Sequence, residues 1–263
     1  MTWIAPAGSF RKRQFSGLDS LFQTNPRSCL VILSKSMDSV NGDKILEPLI
    51  GHGFRVLAVT PDLWDLCKGT PAESWLNEIK NGSKDPGAIP LAQNLSNLMR
   101  LAALYKYGGV YLDTDFVILK DLSGLRNVIG AQSVKKKGNP TKLNNAILVF
   151  DREHPLVYTF MEEFASTFDG NRWGHNGPHL VTRVVDRVAR NKDFKFRVLP
   201  QVAFYPVDWN RIAGFSSGLV TQPMRNGSMS RSGGSTIRAT GCTCGTRKVV
   251  DSTLNKGVLL IDC

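Results

Sequence analysis

The chain has 263 residues, 42% hydrophobic and 21% charged, with a formal net charge of +11. That suits one large globular domain or two small ones, and no apolar run approaches the roughly 20 residues a membrane span needs. The basic balance fits nucleic acid, an acidic membrane or an anionic small substrate. The positive charges are scattered, however, and the dense cluster Lys135-Lys136-Lys137 sits in a loop beside Gly138 and Pro140. No basic helix, aromatic RNA-binding box or finger spacing accompanies them, so nucleic acid is not an expected partner. Residues 1–15 lack the apolar core of a signal peptide. The five cysteines form no disulfide framework, and Cys29, inside an apolar run, is expected in the core.

Cys29 to Leu33 reads as a short buried strand of the parallel-sheet kind. Lys44 to Ile50 reads as a helix, Gly51-His52-Gly53 as its break, and Phe54 to Val59 as a second strand. This β-α-β order indicates an α/β sheet. Pro61-Asp62 starts a loop or helix, Pro71 to Ile79 a helix, and residues 81–87 a turn-rich loop. Pro90 to Tyr107 carries the clearest helical period, with Leu91, Leu95, Leu98, Ala102 and Tyr105 as its core stripe. Gly108-Gly109 stops it. Strands are expected at Val110–Leu112, Phe116–Leu119, Asn145–Phe150 and Phe196–Leu199, and helices at Pro155–Thr167 and Pro178–Ala189. From Phe215 onward the text turns Gly/Ser/Thr-rich, and an irregular C-terminal segment is expected.

The chemistry concentrates in Tyr105-Lys-Tyr-Gly-Gly-Val-Tyr-Leu-Asp-Thr-Asp115. Asp113 and Asp115 follow a short strand, and in extended chain two such side chains point the same way. Open α/β sheets bind ligands at the carboxyl ends of parallel strands. The pair is therefore a candidate site for one hard cation, with waters and a substrate phosphate completing its shell. Asn97 and Arg100 lie one turn apart on the preceding helix, as a surface pair or as joint contacts for a phosphate or polyhydroxyl ligand. Trp173-Gly-His-Asn-Gly-Pro178 opens a helix. Its free backbone donors attract anions, and Trp173 either stacks on a sugar ring or is buried in a loop that Asn176 caps, with Gly177 completing it. His175 and His179 are four apart, but no third zinc ligand is evident.

With these segments, the sequence resembles plant members of the glycosyltransferase family with the DXD sugar-binding region, in its α-1,4-glycosyltransferase (α-1,4-galactosyltransferase-like) branch. The carrying segments are Met1-Thr-Trp-Ile, Ser36-Met-Asp38, Leu57–Asp62, Ile89–Asn97, Tyr105–Asp115, Ile129-Gly-Ala-Gln132, Leu143-Asn-Asn-Ala146, Trp173–Pro178 and Phe204-Tyr-Pro-Val-Asp208. The resemblance implies a GT-A (Rossmann-like) nucleotide-sugar-binding fold. It implies transfer of galactose or N-acetylglucosamine from a UDP-sugar donor to a glycan or glycolipid acceptor, with retention, and dependence on Mn²⁺ or Mg²⁺. It also implies a Golgi membrane protein with a lumenal catalytic domain. Asp113 and Asp115 fall on the family's metal and donor aspartates, and Arg100 on its donor-sugar arginine. Asn97 stands where many relatives carry Asp. Trp173, Asn176 and Gly177 join the expected donor site, and Asp208 is a further candidate for acceptor or metal-side contacts. No protein nucleophile is indicated.

The resemblance runs from residue 1 to about residue 214, giving an expected domain at 1–214 and an atypical tail at 215–263. The chain starts within the family's domain, so no anchor or targeting segment is expected in it. The family's C-terminal motif of the type Tyr-Gly-Val-His-Leu-Trp-Asn-Lys is missing. Ala239 to Arg247, written as degenerate codons and slid back one base, permits that motif, so a reading-frame change is expected in the tail. The competing reading is a relative that binds sugar nucleotide or a partner without turnover.

Overall fold

A computed structural model describes residues 1–134, 140–206 and the backbone of 241–243. Asp208, Lys135-Lys136-Lys137 and nearly all of the tail lie outside the described residues.

The first unit is parallel, as its β-α-β order predicts. Strand β1 (Cys29–Leu33) pairs with β2 (Arg55–Val59) in register from Cys29↔Arg55 to Leu33↔Val59. The crossover is helix α2 (Val40–Gly51), longer than its apolar period because Ser39 caps it by accepting from the Gly42 amide. Helix α1 (Lys12–Thr24) precedes β1 and is not among the elements expected from the sequence, although Leu18, Leu21 and Phe22 recur at helical spacing. It buries Gly17, Leu18, Leu21 and Phe22.

Short helix α3 (Leu63–Cys67) is capped by the Asp62 side chain, and α4 (Pro71–Lys80) begins at a proline. Helix α5 (Leu91–Tyr107) is buried beyond its expected stripe: Met99, Arg100, Leu101 and Leu104 are also inside. Gly108 ends it at φ 69°, and a Cβ there would lie 2.6 Å from the Arg152 amide nitrogen.

Strands β3 (Gly109–Leu112), β4 (Phe116–Ile118), β5 (Val128–Val134) and β6 (Pro140–Phe150) follow. Helices α6 (Pro155–Thr167) and α7 (Pro178–Val188), strand β7 (Arg197–Leu199), helix α8 (Gln201–Phe204) and strand β8 (Gly241–Thr243) complete the described elements. One sheet has the order β3-β6-β5-β7, and β4 pairs with β8. The expectation that the aspartate pair ends a parallel-paired strand is corrected, since β3 pairs antiparallel to β6. Within the tail, the backbone of β8 lies antiparallel to β4 in the register Phe116↔Thr243.

Residues of β6 alternate between two cores, as period-two geometry requires. Leu148 and Phe150 join Trp75, Leu98, Phe160 and Phe164 on the α4–α6 side. Ile147 and Val149 join Phe22, Ile32, Met37 and Phe116 on the α1 side. Trp75 packs edge-on against Phe164 with centroids 5.0 Å apart, and each such fully buried apolar side chain contributes roughly 1.5–3 kcal/mol. Cys29, expected in the core, is exposed, because the β1 edge it sits on has no full-length partner strand.

Helix α1 packs against β4 through Gly17, where a Cβ would sit 2.6 Å from the Phe116 carbonyl oxygen. Gly17→Ala is expected to destabilise the fold by about 1–3 kcal/mol through overpacking against backbone. Thermal denaturation showing no loss, or the gain that a helical Gly→Ala gives at an open site, would refute this contact.

Candidate active site

Asp113 leaves β3 with its amide donating to the Ala146 carbonyl at 2.9 Å, which fixes it against β6. Thr114 and Asp115 then form a turn into β4. The two aspartates are thus not neighbours in extended chain, as the sequence pattern suggests, and each meets a different arginine.

Asp113 meets Arg100, which is 6% exposed and rises from α5. The guanidinium forks over the carboxylate, with Nη2 3.2 Å from Oδ1 and Nη1 donating to Oδ2 at 3.3 Å. Nη1 also donates to the Asn145 carbonyl at 2.8 Å. The guanidinium stacks 4.6 Å from the Tyr111 ring centroid. Burial opposes the charge on Arg100, and the Asp113 carboxylate outweighs it, holding the pKa above its ordinary value. The surface reading of Arg100 is therefore replaced by a buried one.

Tyr111 donates its phenol proton to Asp113 Oδ1 at 2.7 Å. A phenol has one proton, so Thr2, 2.8 Å away, must donate to Tyr111, and Ser96, 2.7 Å from Thr2, must donate to Thr2. Burial raises the Tyr111 phenol above its usual range, keeping it a neutral donor.

Asp115 faces Arg13 of α1, with Nη2 3.6 Å from Oδ2. Tyr205, 3% exposed, lies near both aspartates. Burial, then the Asp113 charge, pushes its phenol well above the ordinary value, with Asp115 adding to the effect.

Asn97 and Arg100 are joined by Asn145. The Asn145 amide donates to Asn97 Oδ1 at 2.9 Å while its carbonyl accepts from Arg100. Gly177 lies against this pair, where a Cβ would be 2.7 Å from Asn97 Oδ1. One connected polar network thus runs from Asn97 through Asn145 and Arg100 to Asp113, largely buried, with Gly177 packed against Asn97. Gly177, rather than Asn176, is the N-cap of α7. Asn176 is buried and donates to Asn94 Oδ1 at 3.0 Å and the Asp169 carbonyl at 2.8 Å, so its amide holds the loop against α5. Trp173 is 71% exposed, which replaces the buried reading and leaves its ring face open.

His175 contacts the Thr167 carbonyl and Arg183, and no cluster of three or more His, Cys, Asp or Glu able to hold a metal exists among the described residues. Two carboxylates that are 30% and 27% exposed remain at the aspartate turn. That set fits a hard cation that takes one or two protein carboxylates and completes its shell with phosphate and water.

Arg13, Tyr111, Asn145 and Tyr205 are site residues that no sequence motif singled out. Tyr111, Asn145 and Tyr205 stand inside the segments that carry the family resemblance. Arg13 belongs to the run Arg11-Lys12-Arg13, whose only sequence signal is its charge.

Residues 12–135 match the glycosyltransferase sugar-binding region containing the DXD motif, and residues 149–233 match the alpha 1,4-glycosyltransferase conserved region. The chain belongs to this glycosyltransferase family. The second match extends past residue 214, where the resemblance read from the sequence stops. Human lactosylceramide 4-alpha-galactosyltransferase is 34% identical over 207 residues, covering 73% of this chain and 54% of that protein. An uncharacterised Arabidopsis thaliana protein is 30% identical over 224 residues, covering 82% of this chain and 33% of that protein. Human alpha-1,4-N-acetylglucosaminyltransferase is 28% identical over 174 residues, covering 63% and 48%. The chain thus spans about half the length of its galactosyltransferase relatives. Among solved structures, the PaToxG glycosyltransferase shares the fold at a TM-score of 0.51 and 18% identity, over 73% of this chain and 70% of that one.

The Arg100 fork predicts that Arg100→Lys lowers stability by about 2–4 kcal/mol, because an ammonium cannot serve Asp113 and Asn145 together. Denaturant titration giving wild-type stability would refute the fork. The Trp173–Pro178 loop depends on a second cluster. Arg183 donates to the His175 carbonyl at 3.2 Å and to Glu163 at 3.0 Å, and Arg187 donates to Glu163 at 2.8 Å. Burial raises the Glu163 carboxyl, but the Arg187 and Arg183 hydrogen bonds outweigh it and hold it below its ordinary value. A depressed carboxyl stabilises the fold above its unfolded pKa and loses that contribution as pH falls through the folded one. Glu163→Gln should therefore lower the melting temperature at pH 7 and flatten its decline below about pH 4.5. An unchanged melting profile would show that the cluster contributes nothing.

Proposed function

We propose that the chain transfers a hexose, galactose or N-acetylglucosamine, from a UDP-sugar to a hydroxyl of a glycan or glycolipid, with retention and with Mn²⁺ or Mg²⁺. The observation that carries this reading is the aspartate turn itself, two accessible carboxylates flanked by Arg100 and Arg13 within the matched DXD region. The relatives, a lactosylceramide galactosyltransferase and an N-acetylglucosaminyltransferase, leave both sugars open and support a glycolipid acceptor. Residence in the Golgi lumen is part of the same proposal. No described helix is long and apolar enough to cross a membrane.

Asp113 and Asp115 would hold the cation, which when bound offsets the negative charge that builds on the diphosphate leaving group. Arg100 and Tyr111 set the direction of the Asp113 carboxylate before any ligand arrives, so little reorganisation accompanies charge development. Arg13 adds positive charge beside Asp115, where an anionic diphosphate gains from it. Asn97 presents a neutral amide toward the sugar, so it discriminates hydroxyl patterns by hydrogen bonding rather than by charge. Trp173 offers its open face to an apolar sugar surface. The proposal assigns no protein nucleophile, and its catalytic unit is residues 1–214 with the tail apart.

Calorimetric titration with UDP, with and without Mn²⁺, tests the proposal. Metal-dependent binding that Asp113→Ala abolishes, with the fold retained, is the expected outcome. Unchanged metal-dependent affinity in that variant would remove Asp113 from the site. Donor hydrolysis or transfer measured on the same preparation separates a transferase from a sugar-nucleotide-binding relative without turnover.

A further inference from the structure

The tripeptide Asn-x-Ser/Thr, with x other than proline, is the acceptor motif for an N-linked oligosaccharide. The chain carries it three times, at Asn81-Gly82-Ser83, Asn94-Leu95-Ser96 and Asn226-Gly227-Ser228. The last lies outside the described residues. The fold separates the other two, because an acceptor asparagine needs a free nitrogen and room for a bulky, solvated chain of sugars.

Asn94 has neither. It lies inside α5 and is 3% exposed. Its Oδ1 accepts from Asn176 at 3.0 Å, and its Nδ2 is enclosed by protein. A sugar on that nitrogen would push the Trp173–Pro178 loop off α5. The Ser96 hydroxyl is engaged as well, by Thr2 at 2.7 Å and Arg100 at 3.4 Å.

Asn81 is the opposite case. It is the C-cap of α4, and Asn81, Gly82 and Ser83 are all exposed. Gly82 takes φ 76°, a left-handed conformation that glycine adopts without strain. The chain thereby folds back so that the Ser83 amide donates to Asn81 Oδ1 at 2.9 Å. This contact turns the carboxamide oxygen toward the backbone, and Nδ2 occupies the opposite branch of the planar amide. The Ser83 hydroxyl stays on the same turn by donating to the Glu78 carbonyl at 3.3 Å. The acceptor nitrogen and the hydroxyl that the motif requires thus stand together on one solvent-facing turn.

The residues that follow are clasped to the segment before the Trp173 loop. Lys84 donates to the Ala165 carbonyl at 3.3 Å, the Ala88 amide to Asn171 Oδ1 at 2.9 Å, and the Ile89 amide to the Gly170 carbonyl at 2.9 Å. These contacts begin after Ser83, so an oligosaccharide rooted at Asn81 breaks none of them.

We propose that Asn81 is an N-glycosylation site. Asn81 Nδ2 forms a bond to C1 of the first sugar of a lipid-linked oligosaccharyl diphosphate. The bond from C1 to the phosphate oxygen breaks, the lipid diphosphate leaves with the electron pair, and the amide gives up one proton. The proposal rests on the lumenal residence proposed above, because the modification belongs to secreted and lumenal chains.

The test uses the full chain carried into the secretory pathway of eukaryotic cells by a cleavable leader, so that its native residence does not decide the result. Its peptides are weighed after an endoglycosidase that leaves one N-acetylhexosamine on a modified asparagine. The peptide holding Asn81 is expected to carry that sugar and the peptide holding Asn94 to be bare. Ser83→Ala is expected to lose the sugar, although Asn81 and the backbone turn remain, and Ser83→Thr to keep it. A bare Asn81 in folded, leader-cleaved chain would overturn the proposal, as would a sugar that persists in Ser83→Ala. A modified Asn81 in the directed chain beside a bare Asn81 in protein from its own tissue would refute lumenal residence and leave the acceptor turn standing.

Discussion

The pairing of Arg100 with Asp113 is the interaction on which the rest of the site depends. A guanidinium that is 6% exposed is tolerable only when its donors are matched by acceptors in place. Here the acceptors come from three separate elements: Asp113 after β3, Asn145 on β6, and Ser96 one turn back on α5. Satisfying one side chain therefore sets the position of the helix, the strand end and the neighbouring strand together. Buried ion pairs add little net stability. What this one supplies is geometry, since a fork with fixed donor directions admits one arrangement of the β3–β4 turn.

That constraint explains what the sequence revealed and what it hid. Helix α5 and the helices opening at Pro155 and Pro178 are legible because their apolar periods and start or stop residues act locally. Strand β5 is not, because Gly130 interrupts its pattern. The structure requires that glycine, since a Cβ would meet the Phe204 ring at 2.5 Å. Helix α1 is hidden for a related reason. Its Leu18, Leu21 and Phe22 keep helical spacing, but Gly17 is a poor helix former, and the value of that glycine appears only in the close approach to the Phe116 carbonyl. Cys29 was misplaced because an apolar run does not state whether both edges of its strand are paired.

The site shows the same division. Asp113, Asp115 and Arg100 are visible because a spaced motif carries them. Asn145 is not, because its two roles use a side-chain amide and a main-chain carbonyl, and the carbonyl role leaves no trace in residue type. Arg13 is brought to Asp115 only by the packing of α1 on β4, a contact between residues about a hundred positions apart in the chain. Asn176 shows the converse. Its place in a motif suggested ligand binding, yet its amide is engaged by Asn94 and Asp169, so in this structure it anchors the loop that presents Trp173 and Gly177.

Thr2 connects the N-terminal bridge on β1 to the aspartates. Its backbone belongs to the parallel bridge with Leu33, and its hydroxyl donates to Tyr111, which donates to Asp113. The orientation of Asp113 is therefore held from two directions, by Arg100 through α5 and by Tyr111 through the short strand that begins at Met1. A single bridge gives Thr2 few backbone restraints, so its hydroxyl contact with Ser96 on α5 shares in placing it. The carboxylate direction at the site is thus set by a hydroxyl chain that starts on a backbone bridge, because the bridge fixes the donor that fixes the carboxylate.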